Sequence, residues 1–571
     1  MMPCEASTNL LWRLMQKRSS GCSFGDGDDD DDGFQLIRDY AVREINALLW
    51  LSLIAITALL VRRVSNLMSL WSKGREIPGP PCPSFYGHSK LFSSETLSDF
   101  LSKAHEKYGS IVRLWLGPTQ LLVSVTDPVL VKDMLVKAVD KLPFTARAFR
   151  LAFGRSSLFV SSFEEVQKRR EFLAMQLNGK MLERANAIHS KVVDSVIDRI
   201  ESIKATRVLD CRSFSQHMAF SSLGATLFGD AFLTWSDATL YEELLMKIAQ
   251  DACFWASYGI PPFWKLGYWR YQSLCTRLKH LTIDIVQLCR QYHEDRKIDE
   301  GPRGSAATYL GFSFSDISEG DPFLEQIDDH LNPCMGSCGN AMGMMFHGCL
   351  TSTGLISNVL TRLVMHPEIQ DKIYSEILMT RKRSAKLQLH DVQSMNFLVA
   401  TVYESARLLP AGPLLQRCLE KHDLDLKTNI TIPAGAILVV PVQLVQMDGK
   451  SWGSDACQFN PYRFLSKVDT DSDSCPIMPY TGQGEKVGHR EGPFMLNDPN
   501  ANAAFLPFGS GTRACVGQKF AIYGIALLFA HLLQHYEIRL CPGSENDPKP
   551  TLNGCVLQLI PSPNIIFVRR S

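Results

Sequence analysis

The chain has 571 residues, 45% of them hydrophobic and 38 of them glycine, the composition of a globular protein with one large core or two moderate ones and not of a disordered or fibrous chain. Lys plus Arg and Asp plus Glu are equal at 59 each, so no charge imbalance points to nucleic acid as a partner. Sixteen cysteines are scattered without a repeated C-x-x-C framework, which argues for reduced thiols in a cytosol-facing protein over a disulfide scaffold; Cys334 and Cys338 have no second ligand pair at a finger-like spacing and so do not make a zinc site.

Residues 1–44 form an acidic leader. Its run of Asp26 and Asp28 to Asp32 reads as a solvated, disordered tail, and it argues against an organelle transit peptide, which is poor in acid. From Ile45 to Val61 the stretch INALLWLSLIAITALLV carries no charge and lies at the short end of what spans a bilayer. A buried core helix or a signal-peptide apolar region would share that composition. Arg62, Arg63, Lys73 and Arg75 come directly after it, however, and VRRVSN offers no small-residue cleavage site. The expectation is a transmembrane anchor over 45–61, with the positive flank keeping the C-terminal remainder of the chain in the cytosol. Residues 62–84 are then a basic, proline-rich hinge, in which Pro78, Pro80, Pro81 and Pro83 predict a stiff extended linker.

Residues 85–571 read as the remaining domain. Ile111 to Leu116 and Gln120 to Val125 predict two strands around Gly117-Pro118-Thr119, and Asp127-Pro128 predicts a capped helix start. From about Glu164 to Tyr374 the pattern is helix-periodic, interrupted by the loop GPRGSAATYLGFSFSDISEGD. Met342, Met345, Phe346, Cys349, Ile356, Val359, Leu360 and Leu363 mark one long helix ending near His366-Pro367. On it, Thr351, Ser352 and Thr353 can bond back to helix carbonyls, and His347 lies four residues before Thr351 on the same face. Glu404 and Arg407, three apart, can pair on a helix. Short strands return near Leu424 to Pro441. Cys515 then sits just before a helix predicted over Gln518 to about Tyr536, where the helix N-terminus favours a thiolate and Gly511 and Gly517 let the backbone curl around a sulfur; a buried structural cysteine is the plainer alternative. A last apolar stretch, Cys555 to Val568, closes the chain. Mainly helical with a small segregated β region is an α+β architecture.

The spacing Phe508-x-x-Gly511-x-Arg513-x-Cys515-x-Gly517 resembles the haem-ligand loop of the cytochrome P-450 family, and the chain from about Pro78 to Arg569 looks like a plant-type microsomal member. The resemblance implies the family's fold and a haem b whose iron takes Cys515 as its metal ligand, with Phe508 beside it, Gly511 in the loop and Arg513 on a propionate. SFEEVQKRREFLAMQL resembles the helix that brings a tryptophan and an arginine to the propionates; Val166 stands in the tryptophan's place and Arg170 in the arginine's. Arg417 in PLLQRC matches a third propionate arginine. For Arg170 and Arg417 a solvated charge is the plainer alternative. Glu404, Arg407 and Arg463 match a structural ion network, with Tyr462 where the family's Pro-Glu-Arg-Phe segment has glutamate. On the long helix Gly348 and Thr351 match the oxygen-side motif, while Leu350 replaces its acid and His347 its small residue.

What the resemblance implies is a monooxygenase that inserts oxygen into a lipophilic small molecule at the endoplasmic reticulum membrane, single-pass, with its catalytic domain in the cytosol. Electrons would come from NADPH through a separate NADPH-cytochrome P-450 reductase, since this chain carries no dinucleotide fingerprint. Pocket walls are expected from Phe346, Leu350, Leu414 and Leu557. With the acid gone, Thr351, Ser352 and His347 are the candidate proton carriers. Two other functions stay open: a reductase-independent peroxide isomerase or dehydratase, which loss of the acid would suit, and a membrane haem protein without turnover.

Overall fold

The computed structural model describes residues 29–82, 85–88, 97–139, 163–202, 208–256, 262–299, 333–381, 387–419, 422–426, 430–467, 494–544, 551–553, 558–560 and 563–570. The loop at 301–321, Pro83 and Leu557 lie outside them, as do the side chains of Val166, Cys334 and Cys338. Among the described residues no group of three or more His, Cys, Asp or Glu is placed to hold a metal.

The chain divides into residues 1–71 and 72–571. Most of the first unit's described part is helix α1 (Asp29–Glu76), and from Tyr40 it is long and apolar enough to cross a membrane, with none of its apolar window buried. Two expectations change here. Asp29 to Asp32 of the acidic run lie in a helix instead of a coil, while Asp26 and Asp28 lie outside the described residues. The basic half of the hinge is helical as well, because nothing before Pro78 breaks the helix. Residues 77–82 lie outside the helix.

In the second unit the last turn of α1 is held to the domain: Arg113 Nη1 donates to the carbonyls of Gly74 and Arg75 at 3.1 and 2.6 Å, and Lys73 pairs with Asp423. Helix α2 (Leu97–Tyr108) leads into strands β1 (Ile111–Trp115) and β2 (Leu121–Val125), which pair antiparallel with Leu114 opposite Leu122. Asp127 caps α3 (Pro128–Lys137), accepting from the N–H groups of Val129 and Leu130 at 3.0 and 2.9 Å.

Helices α4 (Phe163–Asn178) and α5 (Lys180–Ser202) are followed by strand β3 (Val208–Asp210), which the sequence pattern did not announce. Next come α6 (Cys211–Phe228), α7 (Ala238–Ala256), α8 (Leu266–Asp299), α9 (Pro333–Met365), α10 (Pro367–Arg381) and α11 (Asn396–Leu408). Strands β4 (Leu414–Cys418) and β5 (Ile437–Pro441) complete a sheet of order β1-β2-β5-β4, with β2 and β5 parallel. Finally α12 (Gln518–His535) runs straight into β6 (Tyr536–Leu540), and β7 (Asn564–Arg569) lies between β6 and β3.

Helix α12 is apolar on nearly every side, so it sits in the core; α4, α5, α9, α10 and α11 pack around it. Val359, Leu360, Leu398, Leu527 and Leu528 of that bundle are buried together, each contributing about 1.5–3 kcal/mol of transfer free energy. A second cluster joins α9 to α6, α7 and α8, and it takes in Phe346 and Leu350. Those two residues are 2% and 3% exposed and fill core, which removes them from the expected pocket wall.

One histidine in this bundle has a stability consequence. His189 of α5 is 2% exposed, and burial lowers its pKa from 6.5 to about 4. The unfolded chain takes up the proton first as pH falls. The contribution of the neutral ring is therefore complete above pH 6.5 and is lost as pH drops through 4, about 3 kcal/mol by that point. Urea denaturation of His189→Gln at pH 7 and pH 4 is expected to show that much less acid destabilisation than the unsubstituted protein; equal acid sensitivity would mean that His189 does not carry it.

Candidate active site

The cysteine loop is shaped by backbone before any side chain acts. Gly509 and Gly511 have φ of 72° and 69°, left-handed values that favour glycine. A Cβ on Gly511 would also stand 2.5 Å from the carbonyl oxygen of Leu135 at the end of α3. The turn then folds back, with the Cys515 N–H donating to the carbonyl of Phe508 at 2.8 Å, which brings the two residues' backbones together. Gly517 caps α12.

Cys515 is accessible at the wall of a cavity of about 500 Å³ that Arg170, Tyr403, Lys519 and Tyr523 also line. The surrounding protein still desolvates its thiol, and burial pushes the pKa up against the opposing pull of the Gly517 N–H and the Arg170 charge. The helix end therefore does not by itself hold a thiolate here; a metal ion taking the sulfur would displace the proton.

Three guanidinium groups converge on this loop from three elements. Arg170 of α4 donates through Nη2 to the carbonyl of Ala514 at 2.9 Å. Arg513 donates through Nε to the carbonyl of Val139 at 2.9 Å. Arg417 of β4 is 8% exposed; its Nη1 reaches the Gln416 carbonyl at 2.8 Å, and its Nε is buried without a partner. Burial, then Arg513, then Arg170 push the pKa of Arg417 down to about 10. A buried cation with a spare donor, facing two more cations, is stable only when an anion completes the set. That excludes a solvated-charge reading for Arg417. A group that offers a metal to Cys515 and carboxylates to the three arginines fits these residues, as a haem does.

Glu404, Arg407 and Arg463 meet in one ion network, which is larger than the sequence indicated. Arg407 grips Glu404 with both forks, Nε to Oε2 at 2.6 Å and Nη2 to Oε1 at 2.7 Å, and both side chains are fully buried. Arg463 Nε reaches Glu404 Oε1 at 3.3 Å. Three further members were not found by motif. Asp455 takes Arg463 Nη2 at 2.7 Å; burial raises its pKa, yet the Arg463 hydrogen bond and charge outweigh burial and hold it below the usual carboxylate range. It supplies the carboxylate missing at Tyr462, which instead hydrogen-bonds Lys372. Arg362 lies over the Phe459 ring, its pKa lowered by burial against the attraction of Glu404. Gln446, fully buried, donates to the Arg407 carbonyl at 2.6 Å and accepts from the Leu506 N–H at 2.8 Å. Through Gln446 the network holds the start of the cysteine loop.

On α9, Thr351 is exposed and its hydroxyl donates to the His347 carbonyl at 2.7 Å. Thr353 does the same to Cys349 at 2.7 Å. The hydroxyls thus back-bond to the helix, and His347 and Thr351 share a face. Gly348 has a packing reason: its Cβ would fall 2.4 Å from Leu223 Cδ2 of α6. Leu414 of β4 is partly buried and packs on the sheet core.

Residues 77–567 match the sequence model of the family described as cytochrome P-450. Among curated proteins the chain is similar to cytochrome P-450 72A397 of Kalopanax septemlobus, 25% identical over 79% of this chain and 80% of that one. It is similar also to cytochrome P-450 3A29 of Sus scrofa, 24% identical over 84% and 88%, and to the protein LUTEIN DEFICIENT 5, chloroplastic, of Arabidopsis thaliana, 24% identical over 84% and 76%. With the family model covering most of its length, a cysteine loop of the family's spacing and an anion-seeking arginine set around it, this chain belongs to the cytochrome P-450 family of haem-thiolate monooxygenases.

Proposed function

We propose that the protein binds haem b and inserts one oxygen atom of dioxygen into a lipophilic small molecule, drawing electrons from NADPH through NADPH-cytochrome P-450 reductase. The observation that carries this reading is the convergence of Arg170, Arg417 and Arg513 on the Cys515 loop, with a buried donor on Arg417 still to be satisfied. The haem, when bound, supplies the oxygen chemistry, which a thiolate ligand promotes.

The residues of the chain have narrower tasks. Cys515 gives up its thiol proton on ligation, and the three arginines hold carboxylates. Thr351 donates its hydroxyl proton to the His347 carbonyl, so that hydroxyl is not itself placed as a proton donor. Leu350 lies in the core and holds no proton, which leaves the His347 imidazole as the titratable group on the Thr351 face. His347→Ala is expected to uncouple turnover: NADPH consumption continues at a similar rate, hydrogen peroxide replaces product, and product per NADPH falls about tenfold or more. Unchanged coupling with an altered product pattern would assign His347 to packing or substrate contact.

Loss of the helix acid also suits a reductase-independent peroxide rearrangement. Full-length protein is assayed on a lipid extract with NADPH and reductase, and separately with fatty-acid hydroperoxides alone. Oxygen consumption linked to NADPH supports the monooxygenase; hydroperoxide conversion without NADPH, and no activity with it, supports the rearrangement.

The location we assign is the endoplasmic reticulum membrane, with α1 as a single-pass anchor and the domain on the cytosolic side that Arg62, Arg63, Lys73 and Arg75 favour. Deleting residues 1–71 keeps the Lys73 to Arg75 contacts and removes the apolar window. It is expected to convert tight membrane association into a minor, reversible one. Phe263, Trp264 and Trp269 are exposed, Trp264 by 63%, so complete retention on vesicles would shift the anchor to that aromatic surface.

A further inference from the structure

Between α5, α6, α9 and α12 lies a cavity of about 30 Å³, bordered by Ala219, Ser222, Ser352, Ile356 and Gly524. It is separate from the cysteine loop. Most of its wall is apolar, yet His189, Ser222 and Ser352 are among its lining residues, and the hydrogen bonds of His189 and Ser222 have a fixed direction. His189 Nδ1 faces the carbonyl of Ala185. A carbonyl only accepts, so Nδ1 carries the ring proton and Nε2 is bare. Nε2 stands 2.7 Å from Ser222 Oγ, which makes Ser222 the donor in that bond. Burial holds the His189 pKa at about 4, so the ring stays neutral near pH 7 and the polarity does not reverse there. Ser222 has then used its hydrogen and keeps only acceptor capacity. Ser352 also lines the cavity, and among the described residues its hydroxyl does not make the back-bond to helix carbonyls that Thr351 and Thr353 make on either side of it.

We propose that this cavity is a binding site for one ordered water molecule, which donates to Ser222 Oγ and exchanges a hydrogen bond with Ser352 Oγ, forming a polar tie His189–Ser222–water–Ser352 between α5, α6 and α9. The volume has room for a water, and two or more polar partners are what an ordered water in such a pocket requires. Small side chains make the room: Ala219, Ala521 and Gly524 line it, and a Cβ on Gly524 would meet nothing within 4 Å. The tie reaches α9 at the residue after Thr351, and it stands whether or not the proposed oxygen chemistry does.

The test uses the full-length holoprotein. A crystal structure is expected to show water density within hydrogen-bond reach of Ser222 and Ser352, and crystals pressurised with xenon are expected to leave the cavity free of it, since xenon enters dry apolar cavities. In denaturation, Ser222→Ala and Ser352→Ala are each expected to lower the folding constant about 5- to 30-fold, and the double variant no further than the worse single one, because both act through the same water. Gly524→Ala places a methyl in the space and is expected to remove that coupling. Xenon in the cavity without water, or serine losses that multiply, would overturn the proposal.

Discussion

Replacing Cys515 with serine abolishes the thiolate-type carbon monoxide band of the reduced protein while leaving the chain folded. The substitution is nearly isosteric, and the contact that shapes the loop here, Cys515 N–H to the Phe508 carbonyl, is made by backbone. A serine hydroxyl does not ionise at neutral pH and is a hard, weak ligand where a thiolate is soft and strong. The band falls to background, and far-UV dichroism and the denaturation midpoint stay close to those of the unsubstituted protein. Because burial raises the Cys515 pKa, ligation releases a proton at neutral pH, so haem affinity weakens as pH falls and strengthens as it rises toward the thiol pKa. Titration of the apoprotein with haemin at two pH values reads this directly. A Cys515→Ser protein with an unchanged band would remove the ligand assignment, and with it the proposed function.

The second large effect is structural. Arg407→Leu is expected to cost about 3–5 kcal/mol, the penalty for stranding one member of a buried ion pair, and so to leave little folded protein able to retain haem. Glu404 would remain fully buried with only Arg463 and the Asn460 N–H, at 3.3 and 2.9 Å, and the carbonyls of Gln446 and Ala456 would lose the Arg407 Nη1 donor they now share at 2.6 and 2.7 Å. Arg407→Lys should rescue only part of the loss, since an ammonium cannot grip Glu404 with two parallel bonds. Gln446→Leu is the informative companion. It leaves the ion pair intact but cuts the link from the Arg407 carbonyl to the Leu506 N–H, so it should loosen haem retention more than it lowers the unfolding midpoint. An Arg407→Leu protein that folds and holds haem normally would show that the network is dispensable for the cysteine loop.

Much of this arrangement is legible in the sequence because it is local. The cap at Asp127, the glycine turn before Cys515, the apolar periodicities of α9 and α12 and the pairing of Glu404 with Arg407 each depend on residues within about one or two turns of each other, where backbone geometry alone sets what can meet. The end of α1 shows where local reading misled: charge and proline density suggested a hinge from Arg62, but a basic run does not break a helix, and the helix continues to Glu76.

Contacts between distant segments were decided by packing. Periodicity placed Phe346 on an apolar face, and the resemblance put Phe346 and Leu350 at a pocket wall, but an apolar residue suits a ligand pocket and a core equally well, and only the seating of α9 against α6, α7 and α8 assigns them to the core. The same seating, not a need for open space, explains Gly348, whose missing Cβ admits Leu223. Asp455, Gln446 and Arg362 carry no motif, since a buried charge accepts any correctly placed partner and the chain can supply it from many positions. Arg417 was visible as a candidate anion ligand, but whether its charge is solvated or held in wait for an anion depends on burial and on two cations from α4 and the cysteine loop, a property of three segments brought together that no one of them contains.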